Sequence, residues 1–193
     1  MTRSITRFAI AAALSIGLAS AAGAVNVTTY HNDNNRTGWD SAETALTQAN
    51  VATTSFKMLV ATVLDEQVDA QPLLVQGQAI SGQGTHDVVY VATEKNSVYA
   101  LDATTGAVLL SVNFGAPIPY TMLPGQCSNN GPNVGIDSTP VIDLASHTLY
   151  AITDTLESGH EVFRIHALDM STLADKVPSV VVTATGNLTN NSN

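Results

Sequence analysis

Cysteine is nearly missing from this chain: Cys127 stands alone among 193 residues, so no disulfide can form within it. Two readings of that thiol stay open. It is a buried, inert side chain, which is the expected reading, or it pairs with a cysteine in another chain or in sequence beyond this one. Positive charge is scarce as well, with seven Lys and Arg against sixteen Asp and Glu. So acidic a surface repels nucleic acid and anionic lipid, and neither is an expected partner. Beyond the first two dozen residues no segment sustains a helical period, which excludes a helical bundle or an alternating α/β fold. The landmarks of several catalytic classes are missing too. There is no Gly-x-Ser-x-Gly elbow, no Gly-x-Gly-x-x-Gly, no phosphate-binding loop, and no basic residue next to Cys127 to activate it.

The one long apolar run is at the N-terminus. Arg3 and Arg7 precede the uncharged stretch Phe8 to Ala22, and Ala22-Gly23-Ala24 supplies small residues at a cleavage position. This pattern predicts a secretory signal peptide over residues 1–24 and a periplasmic or extracellular location. The run is too short to favour a transmembrane helix, so no membrane insertion is expected after cleavage; a retained membrane anchor is the alternative reading. Removal of residues 1–24 leaves 169 residues carrying five Lys and Arg against sixteen Asp and Glu, a formal charge of −11 with histidines neutral.

The rest of the chain repeats itself. Asp69-Ala70-Gln71-Pro72, Val88 to Thr93 and Val98 to Asp102 are echoed by Asp137-Ser138-Thr139-Pro140, Thr148 to Thr153 and Ile165 to Asp169. The prolines are 68 residues apart, Tyr90 and Tyr150 are 60 apart, and the two Leu-Asp pairs are 67 apart. A period that long, carried by short strands, predicts a β-sheet module repeated around an axis. Strands are expected at Leu73 to Val75, Val88 to Ala92, Val98 to Leu101 and Ala107 to Val112. In the second module they fall at Val141-Ile142, Leu149 to Ile152, Val162 to Leu168 and Val177 to Ala184. Asp102 to Gly106 reads as a hairpin connection, with Asp capping its own turn and Gly106 free to take positive φ.

Residues 25–55 read as an irregular lead-in with a weak helical turn near Ser41 to Asn50. Phe56 to Val63 alternates and is expected as an extra N-terminal strand. Gly115 to Ile136, with four prolines and four glycines, is too long for a hairpin and is expected to cross between modules. The polar end, residues 185–193, is expected to be disordered. The fold class is therefore all-β: a partial β-propeller of about two four-stranded antiparallel blades over residues 56–184, plus the extra strand.

Val89-Tyr90-Val91-Ala92-Thr93 followed by Ser97-Val98-Tyr99-Ala100-Leu101-Asp102-Ala103-Thr104-Thr105-Gly106-Ala107 resembles the repeat of the pyrroloquinoline-quinone-type (quinoprotein-like) β-propellers. Tyr30 to Gly38, with Leu46 to Val51 downstream, is similar to the segment that opens exported bacterial members. The resemblance implies the fold over most of residues 30–184. Closed members use six to eight blades, so it also implies the N-terminal part of a longer propeller. Quinone-dependent dehydrogenases of the family use a disulfide between adjacent cysteines and a calcium ion held by Glu, Asn and Asp. One cysteine cannot make the former, and no residue here matches the latter. The blade-locking tryptophan is replaced by Leu109-Leu110 and by Asp175-Lys176. No catalytic residue is carried over, no metal site is assigned, and no cofactor is expected for this chain. The expected role is an exported scaffold or interaction module. Its partner would be another protein, or a second copy, meeting its open blade faces. The alternative is a fragment of a quinone-dependent oxidoreductase that needs pyrroloquinoline quinone and calcium and whose site is completed by further blades.

Individual candidates have plainer readings. Asp33, Asn35 and Gly38 mimic the first, third and sixth positions of a calcium loop, but Thr44 stands where a Glu is needed and Glu43 is one place early. An Asx turn is expected instead. Asp102 and Asp169, at equivalent positions, are expected to cap turns. His160 and His166 share a strand without further ligands, His86 and His147 are expected in loops before equivalent strands, and His31 is isolated, so no zinc site is expected. Asn26-Val27-Thr28 and Asn187-Leu188-Thr189 match glycosylation acceptors, which the resemblance to exported bacterial proteins implies are chance matches.

Overall fold

The computed structural model describes residues 25–44, 46–52, 56–123 and 131–183. The expected signal peptide, Cys127 and the polar end at 185–193 lie outside the described residues. The first element is a single helical turn, α1 (Gln48–Val51), closed by a reciprocal capping box between Thr47 and Asn50. Four strands follow as an antiparallel meander: β1 (Leu73–Ile80), β2 (Gly84–Ala92), β3 (Ser97–Asp102) and β4 (Val108–Asn113). The connection carries two short paired strands, β5 (Ile118–Pro119) and β6 (Asn133–Val134), with a 3-10 turn at Tyr120–Met122. A second antiparallel meander comprises β7 (Val141–Asp143), β8 (Thr148–Glu157), β9 (His160–Asp169) and β10 (Val180–Val181). The described chain is therefore all-β in class, built on two separate four-stranded antiparallel sheets.

Alternation explains which face each strand buries. Leu73 pairs with Tyr90, and Tyr90 with Ala100, so one row of the first sheet points inward. Those residues join Ile142, Leu149, Ala151, Leu168, Met170 and Leu173 of the second module in one hydrophobic core. Polar bonds cross the same junction. The Tyr90 hydroxyl, in a side chain only 2 % exposed, donates to the Met170 carbonyl at 2.7 Å, and Phe114 lies against the His166 ring at 4.1 Å between centroids.

The turns after β3 and β9 close with the same backbone pattern. Gly106 N–H donates to Asp102 O and Leu173 N–H to Asp169 O, both at 2.8 Å. Both fourth positions have positive φ, +70° at Gly106 and +58° at Leu173. Glycine adopts that geometry freely, whereas leucine is strained there by about 1–2 kcal/mol. Leu173 is 1 % exposed in the core, and burying its side chain recovers about that much or more.

Several expectations need correction. Phe56 to Val63 forms no strand, because alternation gives a strand no backbone partner. Phe56, Met58, Leu59 and Val63 are exposed, and the segment is tied down by Thr62 Oγ1 donating to the Gly106 carbonyl at 2.7 Å. The final strand, expected over Val177 to Ala184, is paired only at Val180–Val181. His86 lies inside β2, opposite Gln78 of β1 beyond a register shift, and not in a loop. The lead-in is mostly irregular, as expected, but residues 26–28 stitch the two sheets together. Val27 exchanges backbone bonds with Leu74 of β1, and Thr28 O accepts from Ile142 N of β7.

Tyr90→Phe is expected to lower stability by about 1–2 kcal/mol, since it strands the buried Met170 carbonyl. Urea denaturation should show a lower midpoint with an unchanged slope; an unaltered midpoint would mean that the sheets do not depend on this bond.

Candidate functional site

The turn from β2 to β3 gathers the unusual chemistry of the molecule. Thr93 N–H donates to Ser97 O, Asn96 has φ +59°, and Glu94 N–H reaches the carbonyl of Gln67 at 2.9 Å. This geometry drives the Glu94 side chain inward until it is fully buried. One carboxylate oxygen, Oε2, accepts the Gly135 N–H at 2.7 Å. The other, Oε1, is buried and has no hydrogen-bond partner among the described residues. Buried polar atoms are ordinarily paired, so this oxygen stands out.

Asp69 and Asp137 complete a cluster with Glu94. One oxygen from each of the three carboxylates lies within 4.8 Å of the others. Both aspartates are exposed at the mouth and open the repeated Asp-x-x-Pro segments, 68 residues apart. The structure sets those segments side by side, with Gln71 N–H donating to Thr139 Oγ1 at 2.9 Å. Gln67 Nε2 donates to Asp69 Oδ1 at 2.7 Å. Burial, then the neighbouring negative charges of Asp137, Asp69 and Glu66, push the Glu94 carboxyl up to about 7, against the lowering effect of the Gly135 bond.

Gly135 sits between this cluster and a second acidic group. Its carbonyl accepts from Asp154 N–H at 3.3 Å, and the Asn96 Nδ2 donates to the Asp154 carbonyl at 2.7 Å. A side chain at position 135 would meet the Glu94 carbonyl at 2.5 Å and Asn96 Oδ1 at 2.8 Å. Asp154 is buried with Oδ1 unpartnered, and its carboxyl is pushed up by burial and by Glu161 beside it. Asp137, Asp154 and Glu161 line a cleft of about 310 Å³ with Ile152 and Phe163.

The residues singled out from sequence sit elsewhere. Asp102 Oδ1 accepts from Thr104 N, Thr105 N and Thr105 Oγ1, and Asp169 Oδ1 from Ser171 N and Oγ, so both cap turns. Asp102 Oδ2 also meets His86 Nδ1 at 2.7 Å, and this contact, with the turn N–H groups, draws the Asp102 carboxyl down to about 2. The same contact, helped by the Gln83 carbonyl, raises His86. Asp33 caps a turn through the Thr37 hydroxyl and backbone. His166 is buried against Asp175 and Thr153, whereas His160 is exposed at the β8–β9 hairpin; the two are not brought together. His147 has φ +50° in the turn before β8, and the His31 ring stacks on Tyr30.

Sequence reasoning used Asp69 and Asp137 as landmarks of the repeat and assigned them no role, and it passed over Glu94. The available signal was that the same acid opens both modules; that Glu94 turns inward toward them has no local signature.

No protein-family model matches the chain, and no curated protein matches its sequence significantly. Among the described residues no helix is long and apolar enough to cross a membrane.

Two outcomes follow from this geometry. Gly135→Ala is expected to cost about 1–3 kcal/mol by overpacking against backbone, visible as a lower melting temperature; an unchanged melt would show that the turn yields. Asp102, held below its ordinary 3.8, stabilises the fold fully above that value and loses the effect as pH falls toward 2. His86, raised above 6.5, stabilises it fully below that value and loses the effect as pH rises through its folded value. His86→Gln should therefore lower the melting temperature more at pH 5 than at pH 8, and equal losses would mean that the pair does not act as an ion pair.

Proposed function

We propose that this chain forms two blades of an exported quinoprotein-like β-propeller and acts as a non-catalytic scaffold that binds protein through an open sheet face. The observation that carries the reading is the outward face of the second sheet. Val141 pairs with Tyr150, Ile152 with Ile165, and Ile165 with Val180, which places these apolar side chains with Phe163 on one surface. They are between 38 % and 61 % exposed. The opposite face of the same sheet is buried in the shared core, so the sheet is apolar on both sides. That pattern is typical of a middle layer covered twice, not of a sheet with one face in water.

The first sheet does not present the same opening. Asp65 accepts from Thr93 Oγ1 at 2.9 Å and from Ser97 Oγ at 2.5 Å, so the segment before β1 is fastened to the β2–β3 end of that sheet. Export rests on the N-terminal Arg-flanked apolar run, and the propeller reading on the repeated Tyr-Ala-Leu-Asp segments. The partner this face fits is a further antiparallel sheet with an apolar surface, packed about 10 Å away.

The isolated chain is expected to self-associate, and the double substitution Ile152→Lys with Ile165→Lys to make it monomeric. Sedimentation velocity across a concentration series checks both. A wild-type chain that is monomeric and melts sharply above about 60 °C would sink the proposal.

A further inference from the structure

We infer that Asp69, Glu94 and Asp137 form a site for a hard divalent cation, calcium, that clasps the entry of the first sheet to the entry of the second. Three observations converge on it. The first is the donor set: three carboxylates and no nitrogen or sulfur, with one oxygen of each inside a 4.8 Å span. Oxygens lying about 2.4 Å from a common calcium ion are separated by no more than that. The all-oxygen chemistry selects calcium or magnesium over zinc and copper.

The second is the fully buried Glu94 carboxylate, whose Oε1 has no hydrogen-bond partner among the described residues. Oε2 is held by Gly135 N–H, so the group is fixed in place with one oxygen still to be satisfied. A cation shared with two aspartates would satisfy it and would also neutralise a cluster in which each acid repels the others. The neighbouring charges that act on Glu94 include Asp137, Asp69 and Glu66, all acidic.

The third is the position of the ligands in the chain. Asp69 precedes β1, Glu94 lies between β2 and β3, and Asp137 precedes β7, and the Gln71–Thr139 bond already draws the two Asp-x-x-Pro segments together. The ion would thus link the two modules where their first strands begin. Because two ligands are exposed and borne on segments before strands, the site suits the variable coordination of calcium better than the strict octahedron of magnesium.

Calorimetric titration of calcium chloride into the EDTA-treated chain tests this, with thermal melts alongside. The expected result is one binding event with a dissociation constant of about 10–1000 µM, a melting temperature raised by calcium and raised less by magnesium. Asp69→Asn and Asp137→Asn, both at exposed positions, should each keep the wild-type circular dichroism and weaken binding tenfold or more. Glu94→Gln can still accept from Gly135 and should fold, melt at or above the wild-type temperature in EDTA, and lose the calcium response. If either aspartate variant fails to fold, the other and Glu94→Gln decide the matter. Absence of calcium binding by the wild-type chain would overturn the inference and mark Glu94 as a core carboxyl held by Gly135 alone. Binding left unchanged by these substitutions would overturn it too, as general attraction to an acidic surface.

Discussion

A buried carboxylate bonded to a backbone N–H ties the first sheet to the segment leading into the second. Glu94 reaches from the first sheet to Gly135 in the segment that leads into the second. Around it, Thr93 O accepts from both Asn96 N–H and Ile136 N–H. Asn96 joins its side chain to Asp154 and its carbonyl to Phe114. With Gln67, whose carbonyl accepts the Glu94 N–H, four other stretches of chain therefore meet at one four-residue turn. The approach is so close that only glycine fits at position 135. Burying an acid there works against folding, since the ionised form loses its hydration. The surrounding hydrogen bonds keep the arrangement in place.

The rest of the fold hangs from that junction. Two meanders whose strands do not pair with one another share one hydrophobic core and are tied by bonds such as those of Tyr90 to Met170 and Gln71 to Thr139. The core is sealed on one side by residues 26–28, which bond to β1 and β7 together. The two turns after β3 and β9 are closed alike although one uses glycine and the other a buried leucine. Packing thus overrides local backbone preference at Leu173. On the far side of the second sheet the apolar row running from Val141 to Val180 stays largely exposed among the described residues.

Most strands were legible because their signals are local. Short β-branched runs bounded by Gly, Pro, Asn and Asp mark strands whose pairing partner is the next run in the chain. Val88 to Ala92 and Val98 to Leu101 are such neighbours, joined by a four-residue turn. Asp102 and Asp169 were legible as caps for the same reason, since their bonds reach only two or three residues. Phe56 to Val63 was misread because alternation describes a side-chain pattern, while a strand also needs a backbone partner. His86 was misplaced because β2 runs four residues further back than its apolar run. The acidic cluster was legible only in part. Both aspartates mark the repeat, but Glu94 enters through a tertiary turn that no spacing announces.

Composition, turn chemistry and short apolar runs between turn residues carry the all-β class, most of the main strands and the acidic balance, because each depends on residues close together in sequence. The packing of two sheets on one core, the contact of residues 69 and 137, and the inward turn of Glu94 belong to the folded chain. They depend on groups 40 to 70 residues apart, brought together only once apolar faces have been removed from water. That is why the polar junction, the part with the most distinctive chemistry, is also the part least visible in the linear chain.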